Sequence, residues 1–240
     1  MTAVILAAGI ASRLRPLTDH LPKTLLTVAD RPLLQRILEA LSVPQIHRVV
    51  IVVGYRHETI RAFVETLELP FPVVYVHNNL FAETNNNYSL WLAAPECAGQ
   101  DILILDSDIL FHPGIISHVL RASPRNVLAF RPDDHLTEEE IKVVLDKDNR
   151  ITGIGKEVSI ASASGESIGI ERFCLKTATA LFRILRDRKD RNEFYEASFQ
   201  QLIDSGMPVY GLNCESYPSM EIDTPEDLRE AETLAMRIHA

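Results

Sequence analysis

The sequence predicts an α/β fold: a mostly parallel sheet with helices on both faces, plus a small antiparallel lobe inserted in the second half. Three observations carry this. As far as about residue 131, short apolar strands alternate with helices of about ten residues, the pattern of βαβ units. The strand candidates Ala3–Leu6, Arg48–Val53 and Asp101–Leu105 are nearly continuous apolar runs, which fits a sheet covered on both sides. Beyond residue 131, the runs Ile141–Leu145 and Ile151–Ile154 flank Asp148-Asn149, a hairpin signal. The parallel part is therefore Rossmann-like, and the later part is more antiparallel.

The elements follow in order. Ala3–Leu6 ends in Ala-Ala-Gly, so a buried strand leads into a loop of small residues. Residues 32–41 place Leu33, Leu34, Ile37, Leu38 and Leu41 at helical spacing; Asp30 can cap that helix, and Pro32 suits its first turn. Arg48–Val53 is β-branched and stops at Gly54. Residues 58–69 read as a helix with Ile60, Phe63, Val64 and Leu67 on one face. Val73–Val76 is a strand closed by Asn78-Asn79, and Asn87–Ala94 a short helix. Asp101–Leu105 ends at Asp106-Ser107-Asp108. A helix over Pro113–Arg121 and a strand over Val127–Phe130 complete this part. Ile168–Leu175 adds a strand, Leu181–Leu185 and Glu193–Ile203 helices, Val209–Leu212 a strand, and Pro225–Arg237 a terminal helix. Thr224 caps that last helix, and Glu226 and Asp227 favour its first turn.

The chain has 240 residues, enough for one large domain rather than two with separate cores. Hydrophobic residues at 46% and charged residues at 24% exclude a disordered chain. The net charge of −9 argues against a nucleic-acid partner, although it leaves room for a local basic pocket. No apolar run approaches the roughly 20 residues of a membrane span. The opening MTAVILAAG lacks a basic n-region and reads as a strand, not a leader. Cys97, Cys174 and Cys214 are odd in number and widely spaced, so they read as free thiols and point to the cytoplasm. The eight histidines show no metal-binding spacing.

Residues 6–35 are the most informative. Five basic residues (Arg13, Arg15, Lys23, Arg31, Arg36) face two acids (Asp19, Asp30) within the first 36 positions. A basic loop at a strand's carboxyl end, in an acidic chain, suits a polyphosphate. The backbone of Leu6, Ala7, Ala8, Gly9 and Ile10 carries side chains small enough near the turn for close approach to a ligand. No Walker A or G-x-G-x-x-G motif occurs. A surface loop with stray charges is the alternative on composition alone.

Read as a motif, the segment Ala7-Ala8-Gly9-x-x-Ser12-Arg13-x-x-Pro16-x-Thr18, followed by Pro22-Lys23-x-Leu25, resembles the nucleotidyltransferases that join a nucleoside triphosphate to a phosphorylated small molecule. The third turn position, glycine in that family, is Ala11 here. The resemblance implies a GT-A-like nucleotidyltransferase fold, with Arg13 and Lys23 as catalytic residues and Leu6–Ile10 at the nucleotide.

Further segments extend the likeness. Ile102–Asp108 delivers Asp106 and Asp108 to the same sheet edge; positions i and i+2 of an extended chain point the same way, so both can face one cation. A local turn cap is the other reading. The resemblance places the metal on Asp108 and leaves Asp106 near the nucleotide. Glu221-Ile222-Asp223-Thr224-x-Glu226-Asp227-Leu228 resembles the family's closing segment, which makes Asp223 the second metal ligand and Glu221 a helper; Asp223 could instead stabilise the following helix. Asn85-Asn86-x-Tyr88-Ser89-Leu90-x-Leu92-Ala93 resembles the branch acting on choline phosphate, inositol phosphate and phosphonoalkyl acceptors. It implies cytosine contacts at Asn86 and Ser89, with Asn79 nearby, and favours CTP. The likeness covers about residues 2–131 and 193–235. Between 132 and 192 it is weak; there Lys156 and Glu166 stand where acceptor contacts belong, with Glu196 and Tyr195 added from the next helix, while a solvated lysine is the plain alternative.

Taken together, residues 1–131 are expected to hold the nucleotide, 132–192 the acceptor, and 193–240 to close the site, all as one domain. The expected reaction is Mg²⁺-dependent transfer of CMP from CTP to a small phosphorylated or phosphonate acceptor with release of pyrophosphate. The alternative is a sugar-1-phosphate nucleotidyltransferase using UTP, dTTP or GTP. A metal-dependent glycosyltransferase using Asp106-Ser107-Asp108 and a non-catalytic nucleotide sensor complete the set. Tyr88, Trp91, Phe173, Tyr195 and Tyr217 are the aromatic candidates for a choline cage, and the acidic run 133–140 reads mainly as a solvated loop. The apolar faces are explained by one core; a homodimer is the assembly considered.

Overall fold

The structure, a computed structural model, describes residues 1–133 and 135–238. Asp134, within the acidic run, lies outside the described residues.

In chain order, β1 (Thr2–Ala7) precedes a small hairpin of β2 (Thr27–Val28) and β3 (Arg31–Pro32), and α1 (Leu33–Ala40) follows. Next come β4 (Arg48–Val53), α2 (His57–Val64), β5 (Val73–His77), α3 (Asn86–Leu92), β6 (Ile102–Asp106), β7 (Ile109–Phe111), α4 (Gly114–Arg121) and β8 (Val127–Arg131). The remainder holds β9 (Lys142–Leu145), β10 (Ile151–Gly155), β11 (Gly165–Phe173), α5 (Leu175–Asp187), α6 (Tyr195–Asp204), β12 (Tyr210–Asn213), β13 (Ser219–Glu221) and α7 (Pro225–Ile238).

The main sheet runs β10-β9-β11-β6-β1-β4-β5, with β8 and β12 joined through β11. Strands β6, β1, β4 and β5 are mutually parallel. Strand β11 then turns the sheet antiparallel, pairing with β6, β8 and β9. The later antiparallel strands therefore extend the central sheet and share its core.

Alternation along the strands explains the two layers of helix. Ala3, Ile5 and Ala7 of β1 face the side covered by Ile37 and Leu38 of α1, Ile60 of α2 and Ile116 of α4. Val4 and Leu6 face the other side, against Leu90 of α3, Leu181 of α5 and Phe199 of α6. Period-two alternation with apolar residues at both phases is what a sheet buried on both faces requires. A third small core joins α7 to the hairpin and β7 through Val28, Leu110, Ile222 and Ala231.

Several boundaries differ from the sequence reading, three of them instructively. Asp30 does not cap α1: Ala29 and Asp30 take left-handed φ of 46° and 66° and form the two-residue turn of the β2–β3 hairpin. That is the backbone a tight hairpin demands, and it leaves Pro32 just outside the helix. Helix α2 stops at Val64, and Leu67 reaches the core from the loop beyond. Helix α5 begins at Leu175, inside the expected strand 168–175, and its first turns bury Thr177 and Ala178, which are too small or too polar to mark an apolar stripe in the sequence. No helix among the described residues is long and apolar enough to cross a membrane.

Candidate functional site

Two contiguous cavities open at the carboxyl edge of the parallel strands. The smaller, about 320 Å³, is lined by Leu6, Ala7, Ala8 and Gly9 where β1 ends, and by Asp106 and Asp108 where β6 ends. Ile10, expected here, does not line it. Ala11 does, in the left-handed conformation (φ 53°, ψ 53°) that glycine adopts most readily. The Thr18 hydroxyl closes the loop by donating to the Ala11 carbonyl at 2.9 Å. Gly9 has open space around its Cα. Gly54, packed against this loop, has no room for a side chain: a Cβ there would lie 2.6 Å from Phe81 Cβ and 2.7 Å from the Ala8 carbonyl oxygen.

Lys23 sits beneath this loop with 11% of its side chain exposed. Its Nζ donates to Asp108 Oδ2 at 2.7 Å and to Asp223 Oδ1 at 2.5 Å. Arg13 donates to Asp223 Oδ2 at 2.5 Å, from a largely exposed position. Burial alone would depress the Lys23 ammonium; the Asp108 and Asp223 charges outweigh it and hold the pKa well above its ordinary value. Asp223 reaches this place because β13 pairs antiparallel with β7, and the Ile222 amide donates to the Asp108 carbonyl at 3.0 Å. Asp227 accepts from the Asp223 and Thr224 amides, while its own amide donates to Thr224 Oγ1, a reciprocal cap that fixes the turn.

The far wall of the smaller cavity is polar. Asn78 Nδ2 donates to Thr84 Oγ1 and Ser89 Oγ, each at 3.0 Å, and its Oδ1 accepts from the Leu80 amide. Asn86 Oδ1 accepts from the Tyr195 amide at 2.8 Å, which joins α3 to α6. Asn86 and Ser89 line the cavity as expected; Asn79 does not. Asn79 is exposed, and its neighbour Asn78 is the buried residue that lines the wall. Asn-Asn marked the spot, but which of the two turns inward depends on the pairing with Ser89. Phe81, Thr84 and Phe194 also line this cavity and carried no signal in the sequence.

The larger cavity, about 840 Å³, shares Arg13, Asn86, Asp106, Phe194, Glu221 and Asp223 with the smaller one. Lys156, Glu166 and Glu196 line it as expected. Tyr195 does not. It is 1% exposed, and its hydroxyl donates to Asp106 Oδ2 at 2.7 Å, so it touches the site only through that carboxylate. Loss of solvent, reinforced by the Asp108 and Glu196 charges, pushes the Asp106 carboxyl well above the ordinary carboxylate range. Gly169, at φ +66°, lies so close that a Cβ would come 2.6 Å from Asp106 Oδ2.

The acidic run is not simply a solvated loop. Asp133, Glu139 and Glu140 line the larger cavity. Lys142, fully buried, anchors the run by donating to the carbonyls of Thr137, Glu138 and Glu140 at 3.2–3.4 Å. The aromatic candidates for a choline cage do not converge on the cavity and are core or surface packing instead, the commoner reading of such residues. Tyr88 and Trp91 pack on each other, Phe173 and Tyr195 pack on Phe199, and Tyr217 stacks against His112 and His118. Phe194 is the aromatic ring that lines the cavity.

This arrangement has counterparts among known proteins. The MobA-like NTP transferase domain matches residues 3–193. The chain belongs to that family. As a nucleotidyltransferase of this kind, it is 27% identical over 238 residues to the choline-phosphate cytidylyltransferase of Streptococcus pneumoniae, covering 98% of each chain. It is 28% identical to the 2-aminoethylphosphonate cytidylyltransferase of Lancefieldella rimae, over 95% of this chain and 89% of that one. The structure of the inositol-1-phosphate CTP transferase from T. maritima superposes with a TM-score of 0.82 at 23% identity, covering 99% of this chain and 95% of that one.

In this nucleotidyltransferase, Asp108, Glu221 and Asp223 each offer an oxygen within 4.8 Å of the others. Asp108 Oδ1 is buried and has no hydrogen-bond partner. A buried carboxylate oxygen left without a donor suits a hard divalent cation. The residues present therefore fit a divalent metal.

Proposed function

We propose that this nucleotidyltransferase transfers CMP from CTP to a small phosphorylated or phosphonate acceptor. The observation that carries the reading is the pairing of two cavities across Lys23, Asp108 and Asp223, one with a small-residue loop and a polar wall, the other broad and acidic. The full-length similarity to cytidylyltransferases supports CTP as the donor. Residues 1–131 with the closing segment 193–240 would hold the nucleotide, and 132–192 would form the acceptor wall. The free cysteines and the use of CTP favour the cytoplasm.

The chemistry asks little of proton transfer. A phosphate monoester has a second pKa of about 6, so its oxygen is already anionic at neutral pH. That oxygen forms the new bond to the α-phosphorus; the bond from the α-phosphorus to the bridging oxygen breaks, and pyrophosphate leaves with the electron pair. The barrier is charge repulsion, so positioning and electrostatic stabilisation supply most of the rate. Arg13 neutralises the β- and γ-phosphates and the leaving pyrophosphate. Lys23, kept charged by its two carboxylates, neutralises the α-phosphate. The loop from Leu6 to Gly9 admits the triphosphate, while Asn86 and Ser89 read the base. Asp108 and Asp223, helped by Glu221, would hold Mg²⁺, which supplies Lewis-acid neutralisation of phosphoryl oxygens when bound. Lys156 and Glu166 contact the acceptor, and Tyr195 positions Asp106.

The test is pyrophosphate release from CTP, UTP, dTTP and GTP, with and without Mg²⁺, over phosphocholine, aminoalkylphosphonate, polyol-phosphate and sugar-1-phosphate acceptors. Mg²⁺-dependent release from CTP with one of the first three is the expected result. Release from UTP, dTTP or GTP with a sugar-1-phosphate would replace this reading with the sugar-nucleotide one.

A further inference from the structure

The larger cavity is strongly acidic. Ten carboxylates line it against four basic side chains among the described residues. Part of that charge is neutralised internally. Arg131 pairs with Glu166 at 2.9 Å, and Lys156 with Glu139 at 3.2 Å. Glu140 accepts from the Thr137 amide and hydroxyl, each at 2.7 Å.

Glu196 differs from these. It is 5% exposed, it lines the cavity, and its Oε2 has no hydrogen-bond partner. Behind it lies Glu171, fully buried, with neither carboxylate oxygen partnered. Glu171 stands opposite Ile104 in the pairing of β11 with β6, two positions from Asp106, and the charges of Asp106 and Glu196 both act on it. A buried carboxylate oxygen without a donor is costly, and a ligand that supplies N–H or O–H removes that cost.

The shape of the wall narrows the ligand. A trimethylammonium head has no proton to donate and is held by aromatic faces. Here Phe194 is the lining ring, and Lys156 Nζ already lies 5.4 Å from its centre. A polyol could donate to Glu196 but would leave the surplus negative charge standing. A primary ammonium answers both requirements, through charge-assisted hydrogen bonds to a carboxylate.

We infer that Glu196, with Asp106 beside it, is the seat of a primary ammonium group on the acceptor. The substrate class is an aminoalkyl phosphate or phosphonate, and Glu196 is the specificity-determining residue. The inference rests on the cytidylyl-transfer reading above and selects among the acceptors that reading allows.

The experiment measures kcat/KM with CTP and Mg²⁺ for three matched acceptors: 2-aminoethyl, 2-(trimethylammonio)ethyl and 2-hydroxyethyl. Each is supplied as the phosphate ester and as the phosphonate. Losing a donor that a buried group requires costs roughly 10²-fold or more in discrimination, so the amine should lead the trimethyl analogue by about that factor; it should lead the hydroxyl analogue, which keeps a donor but lacks the charge, by about tenfold. Glu196→Gln keeps the side-chain shape and should bring the amine-to-hydroxyl ratio to near one while the KM for CTP stays put. A trimethyl analogue equal to or better than the amine overturns the inference, as does a ratio that Glu196→Gln leaves intact. Thermal stabilisation by CTP with Mg²⁺ separates the two levels. If CTP stabilises the enzyme but none of the acceptors turns over, the ammonium seat is wrong and the nucleotide reading survives. If CTP has no effect, both fall.

Discussion

Replacing Lys23 by methionine keeps the aliphatic stem and removes one charge. In the folded protein that charge lies 2.7 Å from Asp108 and 2.5 Å from Asp223, which are themselves 24% and 26% exposed. Breaking a fully buried ion pair costs about 3–5 kcal/mol because the remaining charge stays desolvated. Water reaches both carboxylates here and takes over part of that role, so the loss should be about 2–3 kcal/mol. For a chain of this length that lowers Tm by roughly 5–10 °C. Adding Mg²⁺ brings positive charge back among the same carboxylates, so the deficit should shrink with metal. The catalytic loss is separate: removing one preorganised electrostatic contact costs about 10²–10³-fold in turnover. Scanning calorimetry with EDTA and with Mg²⁺, together with pyrophosphate release from CTP, measures both. A Tm within 1–2 °C of wild type in EDTA would refute the countercharge argument. Turnover within about threefold of wild type would refute the catalytic role.

Further perturbations probe other parts of the site. Burial, with the Asp106 and Glu196 charges, holds the Glu171 carboxyl well above its ordinary value of 4.5. Its folded-state pKa therefore exceeds the unfolded one. The stability it contributes is complete below about pH 4.5 and drains away as pH rises through the folded value, by about 1.4 kcal/mol per unit. Glu171→Gln should accordingly gain stability over wild type as the pH of a urea titration is raised above 5, and a pH-independent difference counts against this account. Gly54→Ala should cost about 1–3 kcal/mol, because Phe81 and the Ala8 carbonyl occupy the space its methyl would need; an unchanged urea midpoint would show that the loop moves freely. Lys142→Met should free the run 137–140 from its anchor, raising KM for the acceptor but not for CTP and speeding proteolysis near residue 138. Equal KM shifts for both substrates would contradict that division of labour.

Much of this was legible along the chain. Strands β1, β4 and β6 announced themselves because each is buried on both faces and so reads as a nearly unbroken apolar run. The loop from Ala8 to Lys23 was legible because its small residues and its charges lie within one short segment. Lys156, Glu166 and Glu196 also reached the cavity as expected. Failures came where one residue's direction depends on a distant partner. Asn78 rather than Asn79 faces the cavity because Ser89 and Thr84 hold its amide. Tyr195 turns away from the acceptor side because Asp106 accepts its hydroxyl. Ile10 follows Gly9 in the same loop yet lies outside the cavity lining.

Local pattern along the chain was enough for the alternation of strands and helices, for the edge at which the loop and Asp106-Ser107-Asp108 emerge, and for the kind of chemistry those residues suit. These are properties of local pattern: burial period, small residues and charges close together in the chain. That Lys23 stands between Asp108 and Asp223 came from the folded chain, because the contact to Asp223 spans 200 residues and depends on β13 pairing with β7. Tertiary packing likewise left Glu196 Oε2 buried without a donor at the cavity wall while moving the aromatic rings elsewhere. Burial and orphaned hydrogen bonds are set by what surrounds a side chain in three dimensions, and no local pattern encodes that.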